Sequence, residues 1–132
     1  MEVEKVLEKV RYNWDRRHID LHMKGGNLIE IKFDADVYAE LKVDVPDGGN
    51  SYGDYGEIET YRGYVLQKID MIEIDCEGNN CEEQEHTRVI LYFYERVGGL
   101  VDKVEINAKC YHNGYYPMSS EIRKNGEIVM NF

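Results

Sequence analysis

Four groups of residues in this sequence are of types and spacings that could do chemistry. In HIDLHM, His18, Asp20 and His22 alternate, placing an acid between two imidazoles, the set that general acid/base catalysis or a metal would use. Strand spacing holds the two imidazoles about 13 Å apart, too far to share one metal, and no nucleophile or phosphate cradle stands beside them. A solvated sheet face explains the same letters, and acid/base work by one histidine with Asp20 is the functional alternative.

Cys76, Cys81 and His86 follow one another at five-residue steps, with Cys110 and His112 further along. Thiolate and imidazole are zinc ligands, but structural zinc sites usually draw their cysteines from two tight knuckles, and only one half-pair exists here. Cys76 and Cys110 also suit strand positions where cysteine is buried as a small apolar residue. Asp75, Glu77, Asn79 and Glu82 offer hard oxygen ligands around Gly78, without the ligand order of a calcium loop. These residues read as structural thiols and a solvated acidic hairpin. No metal or cofactor is expected.

Tyrosines form the last group. NSYGDYGEIETYRGY, residues 50–64, sets Tyr52, Tyr55, Tyr61 and Tyr64 among Gly, Ser and acids, and HNGYYPM adds Tyr115 and Tyr116 beside Tyr111. Evolved binding loops use this mixture, because tyrosine gives large amphipathic contact area at low entropic cost while small residues let the loop adapt. Base stacking needs the same rings but also a positive track for phosphates. Asp54, Glu57 and Glu59 against Arg62 oppose that. The bland reading is that Tyr61 and Tyr64 are strand residues packed on the sheet. The candidate contact residues are therefore Tyr52, Asp54, Tyr55, Glu57, Glu59, Tyr115 and Tyr116, with protein as the partner.

Charge points the same way. The 132 residues carry 16 Lys and Arg against 26 Asp and Glu, a formal net charge of -10. Such a chain repels phosphate backbones and anionic lipid and favours a basic protein surface. No apolar run approaches the roughly 20 residues that span a bilayer, and MEVEKVLEKV has acids where a signal peptide carries bases. With three cysteines, an odd set lacking framework spacing, the sequence reads as cytoplasmic.

The elements that must position these groups follow from periodicity. Val3, Val6, Leu7, Val10 and Trp14 fall on one helical stripe, predicting an amphipathic helix over residues 2–16. Thereafter the period is two. Ile19, Leu21 and Met23 share a strand face, and from Ile29 to Val45 every apolar residue is at an odd position, a run too long for one straight strand. A three-residue turn at Asp34 to Asp36, pairing Phe33 with Val37, would preserve that parity, with a strongly bent strand as the alternative. From about Glu57 to Asp75 the chain reads as strand, with a bend at Gly63 and a bulge near Met71 and Ile72. HTRVILYFYERV is apolar on both faces, as a covered central strand would be. Val104, Ile106, Ala108 and Cys110 form an inward set, and Asn125-Gly126 marks a hairpin.

The expected architecture is a single α+β domain over residues 1–132, the helix packed on a curved, mainly antiparallel sheet of about six to eight strands. The expected function is a small acidic, non-enzymatic binding protein: an inhibitor or neutraliser of a basic, nucleic-acid-handling partner, as phage anti-defence and immunity proteins are. The alternatives are a catalytic or ligand-binding domain with a pocket between helix and sheet, and a structural subunit whose interface is the outer face of residues 89–94.

Overall fold

Alternation of apolar and polar residues runs through nearly every segment, and the computed structural model answers it with strands. It describes residues 1–13, 18–35, 40–44, 50–52, 55–58, 61–74, 84–94, 99, 101–111 and 119–131, and among these there is no helix. The strands are β1 (Glu2–Asn13), β2 (His18–Met23), β3 (Leu28–Asp34), β4 (Glu40–Asp44), β5 (Asn50–Tyr52) and β6 (Tyr55–Ile58). Then come β7 (Val65–Glu73), β8 (Gln84–Tyr94), β9 (Val101–Tyr111), β10 (Ser119–Lys124) and β11 (Glu127–Asn131). The described residues are all-β, and the α+β expectation is corrected.

The predicted helix over residues 2–16 is strand β1 as far as Asn13, and its helical spacing has a physical origin. Glu4 adopts a φ of 51°, and the register slips between Glu2 and Lys5 and again between Leu7 and Lys9. Val3 and Leu7 are buried before the second slip, Val10 and Tyr12 after it. Moving the inward set from odd to even positions yields intervals of four and three residues, which imitate a helical stripe. Val6, on that stripe, is paired with Val65 and only half-buried. Neighbours on both edges of β1 supply the backbone partners, and this tertiary pairing overrides the modest helix preference of Glu, Lys and Leu.

Every strand pair is antiparallel, in the order β11-β10-β3-β2-β1-β7-β8-β9-β4. Hairpin β5–β6 branches from this path, with β6 on β1. One edge of β1 thus serves β7 at its start and β6 at its end. The changeover is at Leu7, whose N–H donates to Tyr64 O at 2.8 Å while its carbonyl accepts from Gly63 N–H at 2.8 Å. Gly63 has a φ of 88°, so the predicted bend is a tight turn between two strands.

Inward residues from distant parts of this order meet in one core. Leu21, Ile31, Phe33 and Ile122 come from β2, β3 and β10, and Ile69, Val89, Phe93 and Ile106 from β7, β8 and β9. Across it the buried Ser120 hydroxyl donates to Thr87 Oγ1 at 3.4 Å, tying β10 to β8. The sheet therefore folds over at β1 and packs against itself. Each buried Leu, Ile or Phe contributes about 1.5–3 kcal/mol, which drives that closure.

Two further expectations change. Phe33 pairs with Ser120, and β3 and β4 are not neighbours but lie in opposite halves of the sheet; Asp36 and Val37 of the expected turn lie outside the described residues. β3 buries Ile29, Ile31 and Phe33 and β4 buries Leu41, so both strands turn odd positions to the core although they are not paired. The irregularity of β7 is between Leu66 and Lys68, upstream of Met71 and Ile72. By contrast, β8 is central between β7 and β9, the inward set of β9 is Val104, Ile106, Ala108 and Cys110, and Asn125 and Gly126 turn the β10–β11 hairpin at φ values of 51° and 88°.

Candidate functional site

The first tyrosine stretch contains a hairpin. Asn50 pairs with Glu57, Ser51 with Gly56, and Tyr52 with Tyr55, leaving Gly53 and Asp54 between the strands in sequence. β6 anchors the hairpin on β1: Tyr55 opposite Asn13, Gly56 opposite the buried Tyr12, Glu57 opposite Arg11 and Ile58 opposite Val10. Asp54, Glu59, Tyr115 and Tyr116 lie outside the described residues, so Tyr52, Tyr55 and Glu57 are the contact candidates with a known backbone position.

Register extends these positions into rows across five further strands. One row runs Tyr52, Tyr55, Asn13, His18, Lys32, Glu121 and Asn131; the next runs Asn50, Glu57, Arg11, Asp20, Glu30, Arg123 and Ile128. Two motifs that the sequence offered as rivals, the tyrosine stretch and the His18-Asp20-His22 set, therefore lie on the same register rows.

That face is partly self-satisfied. His18 Nε2 is 3.7 Å from Asp20 Oδ2, Lys32 Nζ is 3.4 Å from Glu30 Oε2, and Arg123 Nε donates to Glu121 Oε1 at 3.0 Å. Asp20 and Glu30 oppose each other directly, an unfavourable like-charge pair, and Asp20 Oδ1 is shielded from water with no hydrogen-bond partner among the described residues. The register of β2 on β3 is unbroken, so His18 and His22 remain four strand residues apart. Among the described residues no three metal-ligating side chains come together.

The cysteine set is only partly placed. Cys76, Cys81 and His112, like Asp75, Glu77, Asn79 and Glu82, lie outside the described residues. His86 and Cys110 are placed, on opposite faces. The Cys110 thiol is buried in the core, whereas the His86 ring pairs through Nε2 with Asn107 Oδ1 at 2.8 Å, and Arg88 Nε donates to the same oxygen at 2.9 Å. An amide oxygen only accepts, so in this hydrogen bond His86 is the donor through Nε2.

Tyr61 and Tyr64 take the bland role, in a turn rather than a strand. Tyr61 stacks on Phe93 at 4.8 Å, meets Tyr64 edge-on at 5.5 Å and donates its hydroxyl to Asp102 Oδ2 at 3.1 Å. They close the core. The outer face of β8 is covered by charge: Ile90, flanked by Asp70 and Glu105, is 9% exposed, amid ion pairs Lys68–Asp70, Arg88–Glu105 and Lys103–Glu105 and the Lys68 ammonium 4.5 Å from the Tyr92 ring centre. A pocket between helix and sheet loses its helix.

A signal that residue-by-residue reading passed over is the segregation of charge. Residues 43–61 hold five acids and no Lys or Arg, and residues 69–87 hold seven acids and none; the remaining 14 acids are outnumbered by the 16 bases. The whole negative excess thus belongs to two segments, the first of which contains hairpin β5–β6. Comparison with family models, curated proteins and solved structures finds no match to this chain.

Proposed function

We propose that the chain is a small non-enzymatic binding protein that presents hairpin β5–β6, with its tyrosines and acids, to a basic patch on another protein. The observation that carries this reading is the placement of Tyr52 opposite Tyr55 on a hairpin at the sheet's margin, inside a segment with five acids and no base. Tyrosine supplies anchoring area and the acids supply attraction at a distance. A partner whose basic patch normally holds nucleic acid would be blocked by such a surface, which makes inhibition of a nucleic-acid-handling protein the concrete form of the proposal. No helix among the described residues is long and apolar enough to cross a membrane.

Hydrogen exchange on the complex with a captured basic partner tests the location. Amides of residues 50–58 should gain protection on binding while those of β9, at the far side of the sheet order, keep their free-state rates. Protection confined to other strands would place the contact elsewhere.

A further inference from the structure

In the sheet order three strands have a single strand neighbour among the described residues: β11, β4 and β5. They differ in how the other edge is protected. β4, Glu-Leu-Lys-Val-Asp, has a lysine at its centre and an acid at each end, and β5 is only three residues long. Both are devices that keep sheet edges from pairing. β11 reads Glu-Ile-Val-Met-Asn and exposes Ile128 (53%) and Val129 (45%), the most exposed large apolar side chains among the described residues. Its protection is one irregularity, a register slip opposite Ile122 and Arg123 that adds a residue to β11.

We propose that β11 is a self-association edge, pairing antiparallel with β11 of a second copy about a two-fold axis. The occupant follows from charge. Residues 119–131 hold Glu121, Arg123, Lys124 and Glu127, a net of zero with both signs present, while the negative excess resides in residues 43–61 and 69–87. Two copies can meet at this edge without local repulsion, and charges beyond a Debye length of about 8 Å are largely screened. A strongly basic partner gains nothing here, so this edge is independent of the contact proposed for β5–β6. The unpaired N–H and C=O groups of an edge strand call for another strand, and an isologous pair satisfies both copies with one surface. An edge of five residues with one slip is too short to bury the roughly 1,200 Å² of a standard interface, so the dimer is weak and concentration-dependent.

Sedimentation velocity of the full chain from about 10 to 500 µM, the range in which a small interface dissociates, tests this. The weight-average mass should climb from 15.5 kDa towards twice that value. Ile128→Lys and Val129→Lys, each checked for an unchanged circular dichroism spectrum, should hold the mass at the monomer value, while Ile72→Lys, at an exposed apolar residue on β7, should leave the climb intact. A mass of 15.5 kDa at every concentration overturns the proposal, as does a dimer that survives both β11 variants or is lost in Ile72→Lys.

Discussion

Tyr12 is 2% exposed near the end of β1, opposite Gly56 of the tyrosine hairpin and Ile19 of β2, and burial pushes its phenol above the usual tyrosine value of 10.0. The sign of the consequence follows from the neutral form being favoured in the fold. Below pH 10 both states keep the proton and the stabilisation is complete; above it the unfolded chain ionises first, so stability falls as pH rises towards the folded-state value. Urea midpoints should therefore decline between pH 9 and 11 for the natural chain, and decline less steeply for Tyr12→Phe. Equal slopes would mean that Tyr12 is as solvated in the fold as outside it. At this scale the sequence was partly legible. The inward sets Ile19, Leu21, Met23 and Val104, Ile106, Ala108, Cys110 follow from alternation alone, because one unbroken strand maps sequence parity directly onto burial. That Tyr61 and Tyr64 pack on the sheet was legible as their alternative role, but their seat was not: a turn at residues 61–63, not a strand, places Tyr61 on Phe93.

Among elements, β1 shows what periodicity omits. A slip in register changes which residues face inward without changing their composition, and slips at residues 2–5 and 7–9 turn a two-residue period into an apparent helical one. Pattern reading treats each segment alone, whereas β1 is held as a strand by partners that come 5 to 66 residues later in the chain, from His18 opposite Asn13 to Lys68 opposite Glu2. The same locality explains the hairpin expected between Phe33 and Val37, since parity cannot say whether two strands with the same inward phase are neighbours. Gly63 is the element-scale test of the changeover along β1. A methyl group there would meet nothing within 4 Å, so the cost of Gly63→Ala is that of its φ of 88°. Urea unfolding should show a loss of about 1 kcal/mol. An unchanged midpoint would show that the turn does not need left-handed backbone at this position.

For the whole molecule, the sheet closes on one core through β1, and its two outer faces carry, among the described residues, ion pairs such as Lys32–Glu30, Arg123–Glu121 and Arg88–Glu105. Total charge was legible from composition; its concentration in residues 43–61 and 69–87 was also in the sequence, but its meaning depends on β6 lying beside β1. In the proposed function hairpin β5–β6 steers by charge and anchors by tyrosine, so association and dissociation rates should separate the two. The deciding measurement is surface plasmon resonance against the captured partner at two salt concentrations. Asp54→Asn with Glu57→Gln should mainly slow association and flatten its salt dependence, because exposed charges act before contact. Tyr52→Ala or Tyr55→Ala should mainly speed dissociation, with a loss of about 2 kcal/mol, close to thirtyfold in affinity. Affinity indifferent to salt and to both tyrosines would contradict the account.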